Sequence, residues 1–112
     1  MKPAICPKAP VNRDLIGHWI SCDELGSNVK HQISISRGKY KVTCIDTSDN
    51  EIGEVYDVKW DGEKLHYCVY WASTGRFAKN TMVQQAMNQV ELTYTYTDSE
   101  ILKRIPFPNP EE

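Results

Sequence analysis

Apolar and polar residues alternate with a period of two along most of the chain, as they do where successive side chains point to opposite faces of a strand. Residues 15–22, 29–36, 40–46, 51–60, 63–73, 76–87, 90–97 and 100–105 read as strands on this basis. The segment 76–87 has the poorest pattern, and its Ala, Gln and Met content also suits a helical turn. Turn residues separate the segments at the roughly 8 to 12 residue spacing of sandwiches and barrels. Gly38 in Arg37-Gly38-Lys39 supplies the positive φ of a tight hairpin, and Asp61-Gly62 predicts a type I′ turn. Thr47-Ser48-Asp49-Asn50, Thr74-Gly75 and Asp98-Ser99 are polar turns. Prolines 3, 7 and 10 and prolines 106, 108 and 110 make an irregular lead-in and tail, so a single domain spanning residues 1–112 has its core at about 13–105.

Hairpin follows hairpin with no crossover helix, so each strand is expected to pair with its neighbour in sequence. An open meander leaves two exposed edges, and closure removes them. The expected fold is therefore all-β: an antiparallel up-and-down meander barrel of about eight strands.

Alternation also assigns faces. Val29, His31, Ile33 and Ile35 share the inward side, as do Tyr40, Val42 and Cys44 on the next strand. Ile52, Glu54, Tyr56, Val58 and Trp60 follow, then Leu65, Tyr67, Val69 and Trp71, and finally Val90, Leu92, Tyr94 and Tyr96. Glu54 and His31 are the unusual members of this set. A buried carboxylate without partners costs several kcal/mol or loses its charge, so Glu54 implies water or a polar ligand inside. A barrel of about eight strands either fills itself with side chains or holds one small ligand. The expected ligand-binding residues are His31, Tyr40, Glu54, Tyr56, Tyr67, Trp71, Tyr94 and Tyr96. Trp60 and Trp71 fall at opposite ends of one hairpin, which puts at least one of them at a barrel mouth.

Charge and cysteine usage narrow the partners. With 13 Lys and Arg against 15 Asp and Glu, the net charge is -2 and the signs are mixed, which leaves no basic footprint for a phosphate backbone. No apolar run approaches the roughly 18 residues of a membrane-spanning helix. The expectation is a cytoplasmic protein, or an exported one if a leader has been removed, that takes a small-molecule ligand without nucleic acid or membrane; a homodimer is left open. Cys6, Cys22, Cys44 and Cys68 contain no Cys-x-x-Cys pair, and three of them fall in predicted strands, where free cysteine behaves as a small apolar residue. His18, His31 and His66 lie on different strands and only His31 faces inward, so no metal site is assigned.

Leu15-Ile16-Gly17-His18-Trp19 resembles the Gly-x-Trp signature that opens the first strand of lipocalins and of small bacterial lipocalin-like domains. The resemblance implies that Gly17 lets the strand bend and that Trp19 plugs the closed end of a barrel. It also implies a basic residue near the end of the last strand packing across that tryptophan. Arg104 in Leu102-Lys103-Arg104 stands in that place, and a guanidinium on an indole contributes roughly 0.5 to 2 kcal/mol. The loop after the first strand is short, and the lid and C-terminal helix of long-chain lipocalins are missing. The likeness is thus to the compact lipocalin-like, fatty-acid-binding and avidin-like branches of the calycins.

The function implied is non-catalytic binding of a small, partly polar molecule inside the barrel, with no cofactor and no catalytic residue assigned. Two readings stand beside it. One is a filled scaffold that binds another protein through outward residues such as Tyr70 and Phe77. The other is a haem-dependent or Glu-assisted isomerase using His31 or Glu54.

Overall fold

The computed structural model describes residues 11–106. The proline-containing lead-in through Pro10, with Cys6, and the tail beyond Pro106 lie outside them. Within these bounds the protein is all-β, and its eight strands are β1 (Gly17–Trp19), β2 (Val29–Ser36), β3 (Lys39–Asp46), β4 (Glu51–Ile52), β5 (Glu54–Trp60), β6 (Leu65–Trp71), β7 (Arg76–Ala86) and β8 (Gln89–Thr97). They form two antiparallel four-stranded sheets, β1-β2-β3-β4 and β5-β6-β7-β8, with neighbours in sequence paired as the meander requires. The poorly patterned segment 76–87 is the longest strand of all, because its inward positions Ala78, Asn80, Met82 and Gln84 pair with the alternating Tyr96, Tyr94, Leu92 and Val90 of β8.

Among the described residues the closed barrel expected from the sequence is not seen. The order of strands ends at β1 on one sheet and at β8 on the other, with no ladder between them. Two differences account for this. Of the first predicted strand, 15–22, only Gly17–Trp19 forms β1: Leu15 closes a 3-10 turn over Arg13–Leu15, capped by the Asn12 side chain on the Asp14 N–H, and residues 20–22 are irregular. The predicted last strand, 100–105, has no strand structure, and Ile101, Leu102 and Ile105 are exposed.

The sheets join where one long predicted strand, 51–60, divides at Gly53. The Gly53 N–H donates to the Cys44 carbonyl of β3 at 2.9 Å, and the next residue already belongs to the other sheet. A Cβ at Gly53 would stand 2.5 Å from Cγ1 of Val69 and 3.2 Å from Cη2 of Trp71. The chain can change sheets here because this residue has no side chain.

A β-bulge reverses the inward face halfway along β5. Tyr56 pairs with Cys68 and Lys59 with His66, so the first strand spends one residue more than its partner, and Asp57 adopts a left-handed φ of 55°. Before the bulge Val55 packs on the core; after it Trp60 does. Glu54, Tyr56 and Val58 consequently point outward and are exposed, contrary to the inward face that strict alternation assigns to them. The turns differ in a smaller way. Arg37 and Gly38 both take positive φ, as a type I′ hairpin needs, whereas at Asp61-Gly62 only Gly62 does. The Asp61 carboxylate accepts the Glu63 and Lys64 N–H groups and fixes Asp61 as the residue before the turn, giving a type II′ pattern instead of type I′.

The core lies between the sheets: Leu15, Ile33, Val42 and Cys44 from one side, Leu65, Tyr67, Val69 and Met82 from the other. Its end nearest the 3-10 turn is sealed. Leu15 is fully buried, and the Tyr40 hydroxyl donates to the Asn12 carbonyl and accepts from its N–H, both at 2.7 Å. Asn12 Nδ2 donates to Gln84 Oε1 at 2.8 Å, tying the lead-in to the second sheet.

The corner makes a specific prediction. Gly53→Ala should destabilise the protein by about 1–3 kcal/mol in urea unfolding, the usual cost of overpacking. In a Val69→Ala background, which removes the methyl it strikes, the added cost should fall. Strict additivity of the two substitutions would mean that the close approach is not the cause.

Candidate functional site

At the end of the sandwich opposite the 3-10 turn, the two sheets part around a cavity of about 190 Å³. The turns after β3 and β6 and the end of β8 surround its mouth. Its walls include Trp71, Tyr94 and Tyr96, with Val69, Ala78 and Leu92 beside them. Tyr94 and Tyr96 stand one above the other on the edge strand with ring centroids 5.6 Å apart, each about half exposed.

His31 reaches this cavity from β2, and its environment fixes its chemistry. It is 8% exposed, and burial lowers its pKa to about 4, so it is neutral at physiological pH. The Tyr67 hydroxyl lies 2.8 Å from His31 Nδ1, and Cys44 Sγ lies 3.5 Å from the same atom. Burial raises the pKa of both partners, the Cys44 thiol to about 12, so both keep their protons. Among the described residues Nδ1 is the one partner of the buried Tyr67 hydroxyl; a hydroxyl that must donate there assigns Nδ1 as acceptor and the ring proton to Nε2. Among the described residues nothing accepts from Nε2, and His31 lines the cavity.

Asn80, on the facing strand β7, completes the polar interior. It is 6% exposed and lines the cavity, yet among the described residues no group hydrogen-bonds its amide. Among the described residues no buried polar side-chain atom is both sealed from solvent and unpartnered, so the amide opens onto the cavity. Nearly all buried polar side chains find partners. The cavity thus holds one N–H donor from His31 and an amide able to donate and accept.

Charged groups gather at the rim. Asp46 and Glu51 are paired residues of β3 and β4. Glu51 accepts the Ser73 N–H and hydroxyl, and Asp46 accepts the Ser48 N–H and hydroxyl, which hold the Asp46 carboxyl below its usual range. The Arg76 guanidinium sits 4.6 Å from the Tyr96 ring centre, with its Nε 3.4 Å from Asp98, whose hydrogen bond and then charge raise the Arg76 pKa.

Of the residues predicted to bind, His31, Trp71, Tyr94 and Tyr96 line the cavity, and Tyr67 lies one hydrogen bond behind His31. Tyr40 belongs to the sealed end, where it packs edge-on against Trp60 at 5.4 Å. Glu54 and Tyr56 are on the outer surface, joined by a Tyr56 hydroxyl bond to the Glu54 carboxylate at 2.5 Å. Glu54 therefore supplies no interior charge. Gly17 has a φ of 149°, which favours glycine, and Trp19 packs against the core with its indole N–H on the Leu15 carbonyl at 2.9 Å. Arg104 is exposed and outside any strand, so the expected packing across Trp19 finds no counterpart. Asn80, Arg76 and the two rim carboxylates escape notice in the sequence, although Asn80 stands in register with the inward Ala78 and Met82. Tyr70 and Phe77 are half-buried neighbours on the outer face. The cavity is too small for a porphyrin. Among the described residues no group of three His, Cys, Asp or Glu could hold a metal, and no helix is long and apolar enough to cross a membrane.

The neutral His31 has a consequence for stability. Its folded-state pKa, about 4, lies below the ordinary 6.5, so between those values the unfolded chain binds a proton that the folded one excludes. Stability is complete above pH 6.5 and falls as pH drops toward 4, by on the order of 3 kcal/mol. Urea unfolding at pH 7, 6 and 5 should show this decline in the wild type and a shallower one in His31→Gln. Equal slopes would place the His31 pKa near its ordinary value.

No protein-family model matches the chain, and no curated protein or solved structure matches it either.

Proposed function

We propose that the chain is a non-catalytic binding protein of lipocalin-like type that holds a small, partly polar molecule in the cavity between its sheets. On this reading the two sheets are the halves of a flattened, incompletely closed barrel, sealed below by Leu15 and open above. Asn80 carries the argument: its amide is more than nine-tenths buried, faces the cavity and has no partner among the described residues. The amide opens onto the cavity, so in the free protein only water can meet it, and a ligand that both donates and accepts would replace that water. The neutral His31 supports the same reading, since its Nε2–H adds a donor without an interior charge.

Size limits the ligand. A cavity of about 150 Å³ accepts benzene, so 190 Å³ suits a molecule of roughly one ring with one or two polar groups. The aromatic walls favour a flat body, and the amide with the imidazole N–H favours a group that both donates and accepts.

Asn80→Leu tests the proposal from both sides. Removing the unpartnered amide should raise stability by about 1 kcal/mol while abolishing ligand retention. Native mass spectrometry of the protein purified from its own host should show an added mass of single-ring size that the variant lacks. A bare wild-type mass, with no response of cavity residues to single-ring probes in NMR titration, would overturn the reading.

A further inference from the structure

The rim of the cavity carries an asymmetry that bears on the charge of the ligand. Two carboxylates line it, Asp46 and Glu51, against one guanidinium, Arg76. The guanidinium is already engaged, lying over the Tyr96 ring and beside Asp98. Each carboxylate is held in place by a serine N–H and hydroxyl, and those neutral donors leave its charge uncompensated. Trp71, Tyr94 and Tyr96 form the walls just inside, and aromatic faces attract cations. Deeper in, His31 and Asn80 offer hydrogen bonds and no positive charge.

We infer that the ligand is a small organic cation, a protonated amine on a flat or single-ring body. Its ammonium group sits at the rim between Asp46, Glu51 and the aromatic walls, and its polar body meets the buried Asn80 amide and the His31 N–H. The inference rests on the binding function proposed above and adds the charge and the orientation. An anion would meet two carboxylates at the rim and only a guanidinium already paired with Asp98. A neutral molecule would leave the rim carboxylates without a role.

Three probes of nearly equal shape separate these cases: benzylamine, benzyl alcohol and benzoate, titrated against the 15N-labelled full chain at pH 7 and low salt. Benzylamine should bind about tenfold more tightly than benzyl alcohol, equivalent to about 1.4 kcal/mol, and benzoate most weakly. The shifts should centre on the Trp71 indole and the Asn80 side-chain amide. Asp46→Asn with Glu51→Gln keeps an acceptor for each serine, so the fold should persist. It should bring benzylamine down to the affinity of benzyl alcohol. Added salt should narrow the same gap. Tighter binding of benzyl alcohol or benzoate, or a double variant that leaves the amine preference intact, overturns the cation assignment while the binding function stands. If none of the three moves a cavity residue, the binding function fails and the cation assignment falls with it.

Discussion

The hydrogen bond from the Tyr67 hydroxyl to His31 Nδ1, 2.8 Å long, is the polar link through the middle of the core, and the interior is organised around it. It joins β6 of one sheet to β2 of the other, so it fixes how the two inner faces meet. It decides the histidine tautomer, because a buried hydroxyl must donate somewhere and Nδ1 is where it does so. The proton is thereby sent to Nε2, on the cavity side. The same burial that makes the bond dry keeps His31 uncharged, and a charged imidazolium could not accept from Tyr67. Packing, protonation and the offer of a donor to the cavity are one arrangement.

Gly53 and Asp57 determine what surrounds that bond. By crossing from one sheet to the other at a residue without a side chain, the strand brings the sheets together beside Val69 and Trp71. Four residues on, the bulge at Asp57 rotates the strand so that Trp60 enters the sealed end to meet Tyr40. Without the extra residue, Trp60 would share the outward face of Glu54 and Tyr56, and the large ring would be lost from the core. The outward turn of Glu54 and Tyr56 is the other half of the same adjustment.

Much of this was legible in the sequence, and its limits have a physical origin. Alternation places β2, β3 and β6 correctly because those strands are regular and half-buried, which is the condition under which period two reports a face. It fails in β5, where one inserted residue reverses the parity and neither Asp57 nor Val58 announces a left-handed conformation. It underrates β7, where Ala78, Asn80, Met82 and Gln84 carry the inward face with a mixture of small, polar and flexible residues in place of a clean apolar row. Asn80 was therefore invisible as a site residue for the same reason that the strand looked weak. Closure to remove exposed edges needs full-length first and last strands, whereas β1 stops at Trp19 and residues 100–105 form no strand.

A strand interior gains little from asparagine, which disfavours extended structure and buries two polar groups. At position 80, between Ala78 and Met82, an apolar residue would face its cross-strand partners Tyr67 and Tyr94 with no orphaned amide. Because the amide opens onto the cavity and is not sealed from solvent, its cost is below the about 1–3 kcal/mol of a fully buried unsatisfied group, yet it remains a cost that an apolar residue would not carry. The chain tolerates this cost at one end of the sandwich while the other end is tightly satisfied, with Tyr40, Asn12 and Gln84 exchanging hydrogen bonds around a fully buried Leu15. That division separates stability from the cavity: the sealed end holds the sheets together, which leaves the open end free to keep polar groups unpaired until a ligand meets them.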